Sequence, residues 1–171
     1  MMCGKELSVQ LTRQTDYALR LLIYVTAIRR RVSIGEVAAA QAISRTHLMK
    51  IANLLTTRGF LAAARGRGGG VSLARPAEEI ILSDVIRATE QSCSLVDCSG
   101  CKLVRRCRLE PILGEASAAF WRVLGGYSLA DLVTGPTTDA MVGAATPVSF
   151  HKTEPPSSAA AASDRGHAFS R

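Results

Sequence analysis

No apolar run in the 171 residues is long enough to cross a bilayer. The longest, Leu21–Ile28, falls well short of the roughly 20 residues that a spanning helix needs. The N-terminus, MMCGKELSVQ, has no apolar stretch of the kind that opens a secretory signal. The chain is therefore expected in the cytoplasm, where structural disulfides are rare. Histidine is scarce: His47, His151 and His167 are spread far apart, and a histidine-based metal site is not expected. No Ser/His/Asp arrangement is visible. The GRGGG run at 66–70 lacks the Lys-Ser/Thr ending of a phosphate-binding loop, and it reads as the inside of a hairpin rather than the approach to a helix. Internal repeats are absent too. These gaps argue against membrane transport, secretion, and hydrolytic or nucleotide-cleaving chemistry.

Positive charge is abundant and unevenly placed. Residues 1–76 hold twelve Lys/Arg against three Asp/Glu, a balance of +9, whereas residues 77–171 hold nine against eleven, a balance of −2. A basic front half is the electrostatic footprint of nucleic-acid binding.

The periodicity of that front half is helical. TDYALRLLIYVTAIRRR reads as a helix with Thr15 as cap, Asp16 at the positive end of its dipole and Arg29–Arg31 at the negative end. Its apolar residues point nearly all round, so most of its sides should be buried. A short helix capped by Ser33 follows, through Glu36–Gln41. ISRTHLMKIANLLTTRGF then opens at Ser44 and closes at Gly59, where a left-handed residue is wanted. Leu48, Ile51 and Leu55 form its inner face, and Thr46, Lys50, Asn53 and Thr57 its outer one. FLAAARGRGGGVSLARP reads as a β-hairpin with strands Phe60–Ala64 and Val71–Ala74. Helices followed by a hairpin give the winged-helix order. On this pattern Arg45, Thr46, His47, Lys50 and Asn53 lie early on a recognition helix suited to the major groove. Arg65 and Arg67, among glycines that let backbone approach a phosphate or minor groove, form the wing tip.

Pro76 ends this unit. ILSDVIRATE reads as a short helix capped by Ser83 with Asp84 in its first turn, and LEPILGEASAAFWRVLGG as a long amphipathic helix. Leu109, Ile112, Leu113, Ala116, Phe120, Val123 and Leu124 form one stripe on that helix, with little chain left to cover it, so a second subunit is expected there. YSLADLV can add a turn, with Ser128 as cap. From about Gly135 the chain turns rich in Pro, Ala, Ser and Thr with no apolar period and reads as a disordered tail. The expected organisation is a winged helix-turn-helix over 1–76, a cysteine loop and dimerisation helix over 77–134, and the tail over 135–171.

Between the two later helices lies CSLVDCSGCKLVRRC, which holds four of the five cysteines, with Lys102, Arg105, Arg106 and Arg108 among or just beyond them. An odd cysteine count in a reducing compartment points to metal, cluster or catalysis. Thiolates are soft ligands for zinc, copper(I) or iron–sulfur clusters. Zinc more often takes two separated ligand pairs, and no histidine falls between these cysteines. Basic side chains would offset an anionic thiolate cluster and tune its potential. A redox C-x2-C, Cys98 and Cys101, belongs beside a βαβ pattern, which is missing here. Four buried, inert cysteines do not suit so polar a segment. Cys3 has no assigned role.

From Leu11 to Val133 the chain resembles the Rrf-two family of bacterial winged-helix regulators, of the NsrR, IscR and RirA type. The resemblance is carried by LTRQTDYALRLLIY, ISRTHLMKI, RGRGGGVSLARP, LSDVIRATE, the cysteine loop with its C-x5-C-RL ending, and YSLADLV. SLVDCSG and CRL look most like the nitric-oxide-sensing branch. The resemblance implies a homodimer on operator DNA and an iron–sulfur cluster, 2Fe-2S or 4Fe-4S, on Cys98, Cys101 and Cys107. In some members a carboxylate from the other subunit is the fourth ligand, and the matching position is Asp16. One departure stands out: family members place about five or more residues between the first two cysteines, and this chain places two. Cys93, seven residues before Cys101, can replace Cys98 or be the fourth ligand. Cys93, Cys98 and Asp16 are therefore left in competition. The reading is a non-enzymatic, cluster-dependent repressor answering to nitric oxide, redox or iron status, with the sensed signal its one small-molecule partner. Its rivals are a zinc-stabilised DNA-binding protein without a sensing role and a thiol oxidoreductase.

Overall fold

The computed structural model describes residues 10–66, 68–90, 95–96, 98–103, 106–135, 137 and 140. Arg67, Cys93, Arg105 and nearly all of the expected tail lie outside them. The order is α1 (Arg13–Ile28), α2 (Ile34–Gln41), α3 (Arg45–Thr57), β1 (Leu61–Ala64), β2 (Gly70–Leu73), α4 (Leu82–Thr89) and α5 (Leu109–Gly125). Single 3-10 turns stand at Ala77–Glu79 and Ala130–Leu132. No helix among the described residues is long and apolar enough to cross a membrane.

α1 is the central element. It buries Ala18, Leu21, Leu22, Tyr24 and Val25 against α3, α4 and β2. Its cap is Thr12 and not Thr15: the Thr12 hydroxyl accepts the Thr15 N–H at 3.3 Å. Thr15 is buried one turn further in, where its hydroxyl donates to Thr89 Oγ1 at 2.9 Å. The cap is settled by distant chain, because Glu90 Oε1 accepts from both the N–H and the hydroxyl of Thr12, at 2.8 and 3.2 Å. The Gln14 amide adds a bond to the Thr89 carbonyl at 3.0 Å. The first turn of α1 is thus tied to the last turn of α4, where the cysteine loop begins.

Ser33 caps α2 as its sequence suggests, accepting the Glu36 N–H at 3.1 Å. Glu36 then binds α2 back to α1. Its carboxylate accepts from Arg30 at 2.7 and 3.1 Å and from the Tyr24 hydroxyl at 3.2 Å. Burial, reinforced by the Glu36 charge, pushes the Tyr24 hydroxyl up to about 12. For Glu36, burial raises the carboxyl, but the Arg30 bond and charge outweigh it and the net direction is downward.

α3 begins after Ser44 and is followed by Gly59 at φ +76°, the left-handed residue that lets the chain double back. Leu48, Ile51 and Leu55 face the core, while Thr46, Lys50, Asn53 and Thr57 face out, as the periodicity predicts. The hairpin pairs Leu61 with Leu73 and Ala64 with Gly70. β1 begins one residue later than the sequence suggests, with Phe60 closing α3 through its N–H to the Leu55 carbonyl, and β2 lies one residue earlier, with Gly70 paired to Ala64. Val32 adds a third-strand stub by exchanging two hydrogen bonds with Val71, at 3.0 and 2.8 Å. A Cβ on Gly70 would run into the Val32 carbonyl oxygen, so glycine is required where the stub meets the wing.

Beyond Pro76 the chain returns to the same core, adding Ile80, Val85 and Leu129. Ser83 does not cap α4. Ile81 holds that position in extended geometry, because the Ile81–Ser128 bridge fixes where the helix begins, and Ser83 is buried in the first turn. Ser128 is likewise not a cap. It donates its N–H and hydroxyl to Asp131 Oδ2, at 2.7 and 2.8 Å, and Leu129 stands at the cap of that 3-10 turn. α5 packs on α4, with the Arg87 guanidinium 4.1 Å from the centre of the Trp121 ring. No residue of α5 is buried.

Candidate nucleic-acid interface and cysteine loop

The helix-turn-helix geometry follows from how α2 meets α3. Ala42 takes a left-handed conformation, φ 52°, and Ile43 turns into the core, so α3 crosses beneath α2 with its outer face bare. Arg45, Thr46, His47, Lys50 and Asn53 are all exposed on it. A groove of about 480 Å³ runs between α3 and the wing, lined by Ser33, Arg45, Met49, Asn53 and Thr56 on one wall and the Gly69–Gly70 backbone on the other. Arg45 and Asn53 thus stand opposite the wing, and Thr46, His47 and Lys50 lie outside the groove on the same helix. Arg65 is exposed where β1 enters the wing tip. Arg31 was absent from the sequence-based set. Its Cγ lies beside the base of the wing, 3.3 Å from where a Gly70 Cβ would sit, and the Val32–Val71 bridge puts it there. Met49 was also missed. It is an apolar residue on a polar surface, and only its exposure distinguishes it.

The cysteine loop runs from the end of α4 to the start of α5. Cys98, Cys101 and Cys107 are thiols outside any disulfide; Cys101 is exposed and the other two half-buried. The Cys101 N–H donates to the Cys98 carbonyl at 3.2 Å, closing a turn through Ser99 and Gly100. Lys102, Arg106 and Arg108 are exposed around them. Among the described residues no three His, Cys, Asp or Glu side chains are grouped so as to hold a metal. The donor set nevertheless fits a soft metal or an iron–sulfur cluster in its chemistry: three cysteines outside any disulfide on one short loop, with exposed Lys and Arg in the same loop. Asp16 lies away from that loop in sequence, on the first turn of α1, and its Oδ1 accepts from Arg20 Nε at 3.0 Å. The Thr12–Glu90 and Thr15–Thr89 bonds connect its turn to the loop's origin. Those links join residues more than seventy positions apart, and no local signal could have found them.

Comparison with known proteins agrees with this arrangement. The sequence pattern of the Rrf2 (Rrf-two) family, described as "Iron-dependent Transcriptional regulator", matches residues 11–135. Protein aau3 of Rhizobium meliloti (strain 1021) is 42% identical over 147 residues, covering 82% of this chain and 96% of that protein. Among solved structures, CymR (YrzC), the global cysteine regulator of B. subtilis, superposes with a TM-score of 0.61 at 22% identity over 74% of this chain and 97% of its own. T. potens IscR does so with a TM-score of 0.61 at 21% identity over 74% and 87%. At such identities the two structures bear on the fold, and the fold they share is the mainly helical winged helix-turn-helix described above. The family match and the aau3 likeness together make this chain a member of the Rrf2 family of DNA-binding transcriptional regulators, which are not enzymes.

Proposed function

We propose that this regulator is a homodimeric, iron–sulfur-dependent repressor, nearest to the NsrR branch, whose grip on operator DNA follows the state of the cysteine loop. The observation that carries the reading is the set of three reduced thiols on a loop whose origin is hydrogen-bonded to the first turn of α1. Cys98, Cys101 and Cys107 hold the cluster, with Cys93 or Asp16 of the partner subunit as a further ligand. A bound cluster supplies iron–thiolate bonds open to nitric oxide, to oxidants and to loss of iron. The rest is done by the chain itself. Thr89 and Glu90 carry any displacement of the loop to Thr12, Gln14 and Thr15. α1, which packs directly on α3, carries it to the reading face. The exposed stripe of α5 pairs with its twin and sets the distance between the two α3 helices. Residues 1–76 are the DNA-binding part and 77–134 the sensing and dimerising part, working in the cytoplasm where the operator is.

In this arrangement Arg45, Thr46, His47, Lys50 and Asn53 enter the major groove, and Arg65 and Arg67 the groove beside the wing. Lys50→Ala should weaken operator binding by roughly 1–3 kcal/mol, the range for losing a good base-edge contact. Fluorescence anisotropy at fixed salt measures it, and unchanged affinity would remove Lys50 from the reading set. Affinity should also fall steeply as salt rises, since each phosphate contact releases counterions. The cofactor is tested by anaerobic purification. A coloured protein with iron and acid-labile sulfide supports the reading; a colourless one with stoichiometric zinc replaces it with a zinc-stabilised regulator that senses nothing.

A further inference from the structure

The geometry points to Met49 as a specificity-determining residue, reading the methyl group of a thymine in the operator. The inference rests on α3 being the helix that enters the major groove. Its starting point is exposure: Met49 is 50% exposed. The other exposed large hydrophobics among the described residues are Leu11, three in the cysteine loop (Leu95, Val96, Leu103), four on α5 and Tyr127 just after it. The α5 set is covered in the proposed dimer by a second subunit. Met49 belongs to neither the cysteine loop nor α5. It stands alone on α3, whose other outward residues are polar or charged.

Among the described residues, none covers it fully: Met49 stays half exposed. Met49 lines the groove between α3 and the wing, where the wing contributes Ala63, Ala64, Gly69, Gly70 and Val71, small side chains apart from the valine. That small-residue wall leaves the Met49 side chain reachable from outside, as its exposure shows. Four residues before it on the same wall is Arg45, and four after it is Asn53. Residues four apart share a helix face at about 6 Å spacing, so the three form a row along the groove. The major groove presents matching chemistry: guanine accepts two bonds from an arginine, adenine exchanges two with an asparagine, and thymine offers a C5 methyl to an apolar side chain. An unbranched, polarizable methionine can reach a methyl group over a range of positions without demanding one geometry. The row Arg45–Met49–Asn53 is thus a polar–apolar–polar reader, with the thymine methyl as the part that only Met49 can sense.

The test uses full-length protein, purified anaerobically, on the tightest duplex it selects from a randomised library. Each thymine is replaced in turn by deoxyuridine, which removes the C5 methyl and nothing else. For the native protein, one position in each half-site should lose about three- to fivefold in affinity, the worth of one methyl group taken out of water. M49A should bind the unmodified duplex more weakly by about the same factor and should be indifferent to deoxyuridine at that position. M49L, still apolar, should keep most of the sensitivity. Two results overturn the inference while leaving α3 as the reading helix: every thymine replaceable at no cost to the native protein, or M49A losing as much as the native protein when the methyl is removed. Failure to select any sequence would overturn the recognition helix itself, and Met49 with it.

Discussion

Cys107→Ala is expected to purify under argon as a folded, colourless protein. Cys107 sits half-buried in the loop just ahead of α5 and belongs to no part of the core. Removing its sulfur should therefore leave the helical core folded, and any fall in thermal stability should be that of the lost cluster. The functional loss should be far larger. A cluster that loses one of its thiolate ligands is not retained, so visible absorption, iron and sulfide should vanish together. Operator affinity should fall as well, by something between fivefold and about a hundredfold, the usual span of a coupling free energy between two sites. Anaerobic absorbance and anisotropy on one preparation read both effects. A variant that keeps its colour would take Cys107 out of the ligand set. The same substitution at Cys98 decides whether that thiol or Cys93 fills the third position.

The second large effect belongs to α5. Ile112 and Val123 are each 61% exposed, on one stripe with Leu109 and Phe120. Such a face is unfavourable in water, and in the proposed dimer a second copy of α5 covers it. Ile112→Glu combined with Val123→Glu would put two carboxylates on each side of the seam, facing their own copies. The pair should dissociate at micromolar concentration, by light scattering, while circular dichroism and the Trp121 environment stay unchanged, since no residue of α5 is buried in the subunit. Operator affinity should drop by more than about a hundredfold, because two half-sites gripped by separate subunits lose the gain of binding as one body. A variant that remained dimeric would show that the copies meet elsewhere.

Much of this was legible in the sequence because the relevant signals are local. The alternation of Leu48, Ile51 and Leu55 with Thr46, Lys50, Asn53 and Thr57 fixes both faces of α3. Ser33 caps α2 and Gly59 turns the chain after α3 for reasons contained within four residues. The misplaced caps share one cause. Thr12 and Thr15 are equally good caps as residues, and the choice between them is made by Glu90, 78 positions away. Ser83 has a fine capping side chain, but α4 starts where the Ile81–Ser128 bridge places it. The outward side of α3 was readable except at Met49, since an apolar residue in a helical period reads as core until its exposure is known, and Arg31 was not, since only the Val32–Val71 bridge places it beside the wing. The soft-metal chemistry proposed for the cysteine loop is suggested by composition alone. Which sulfurs or carboxylates would converge in the proposed dimer depends on the loop's path and on a second subunit, and neither is encoded in spacing.

The most direct test of the coupling is a single titration. Oxygen-protected protein, assayed for iron and acid-labile sulfide, is bound to its operator duplex and titrated with a nitric-oxide donor while visible absorbance and anisotropy are recorded together. The account predicts iron-bearing protein whose DNA release tracks the bleaching of its absorbance, step for step. Protein that is iron-free as isolated, or a duplex that stays bound after the absorbance has gone, contradicts it.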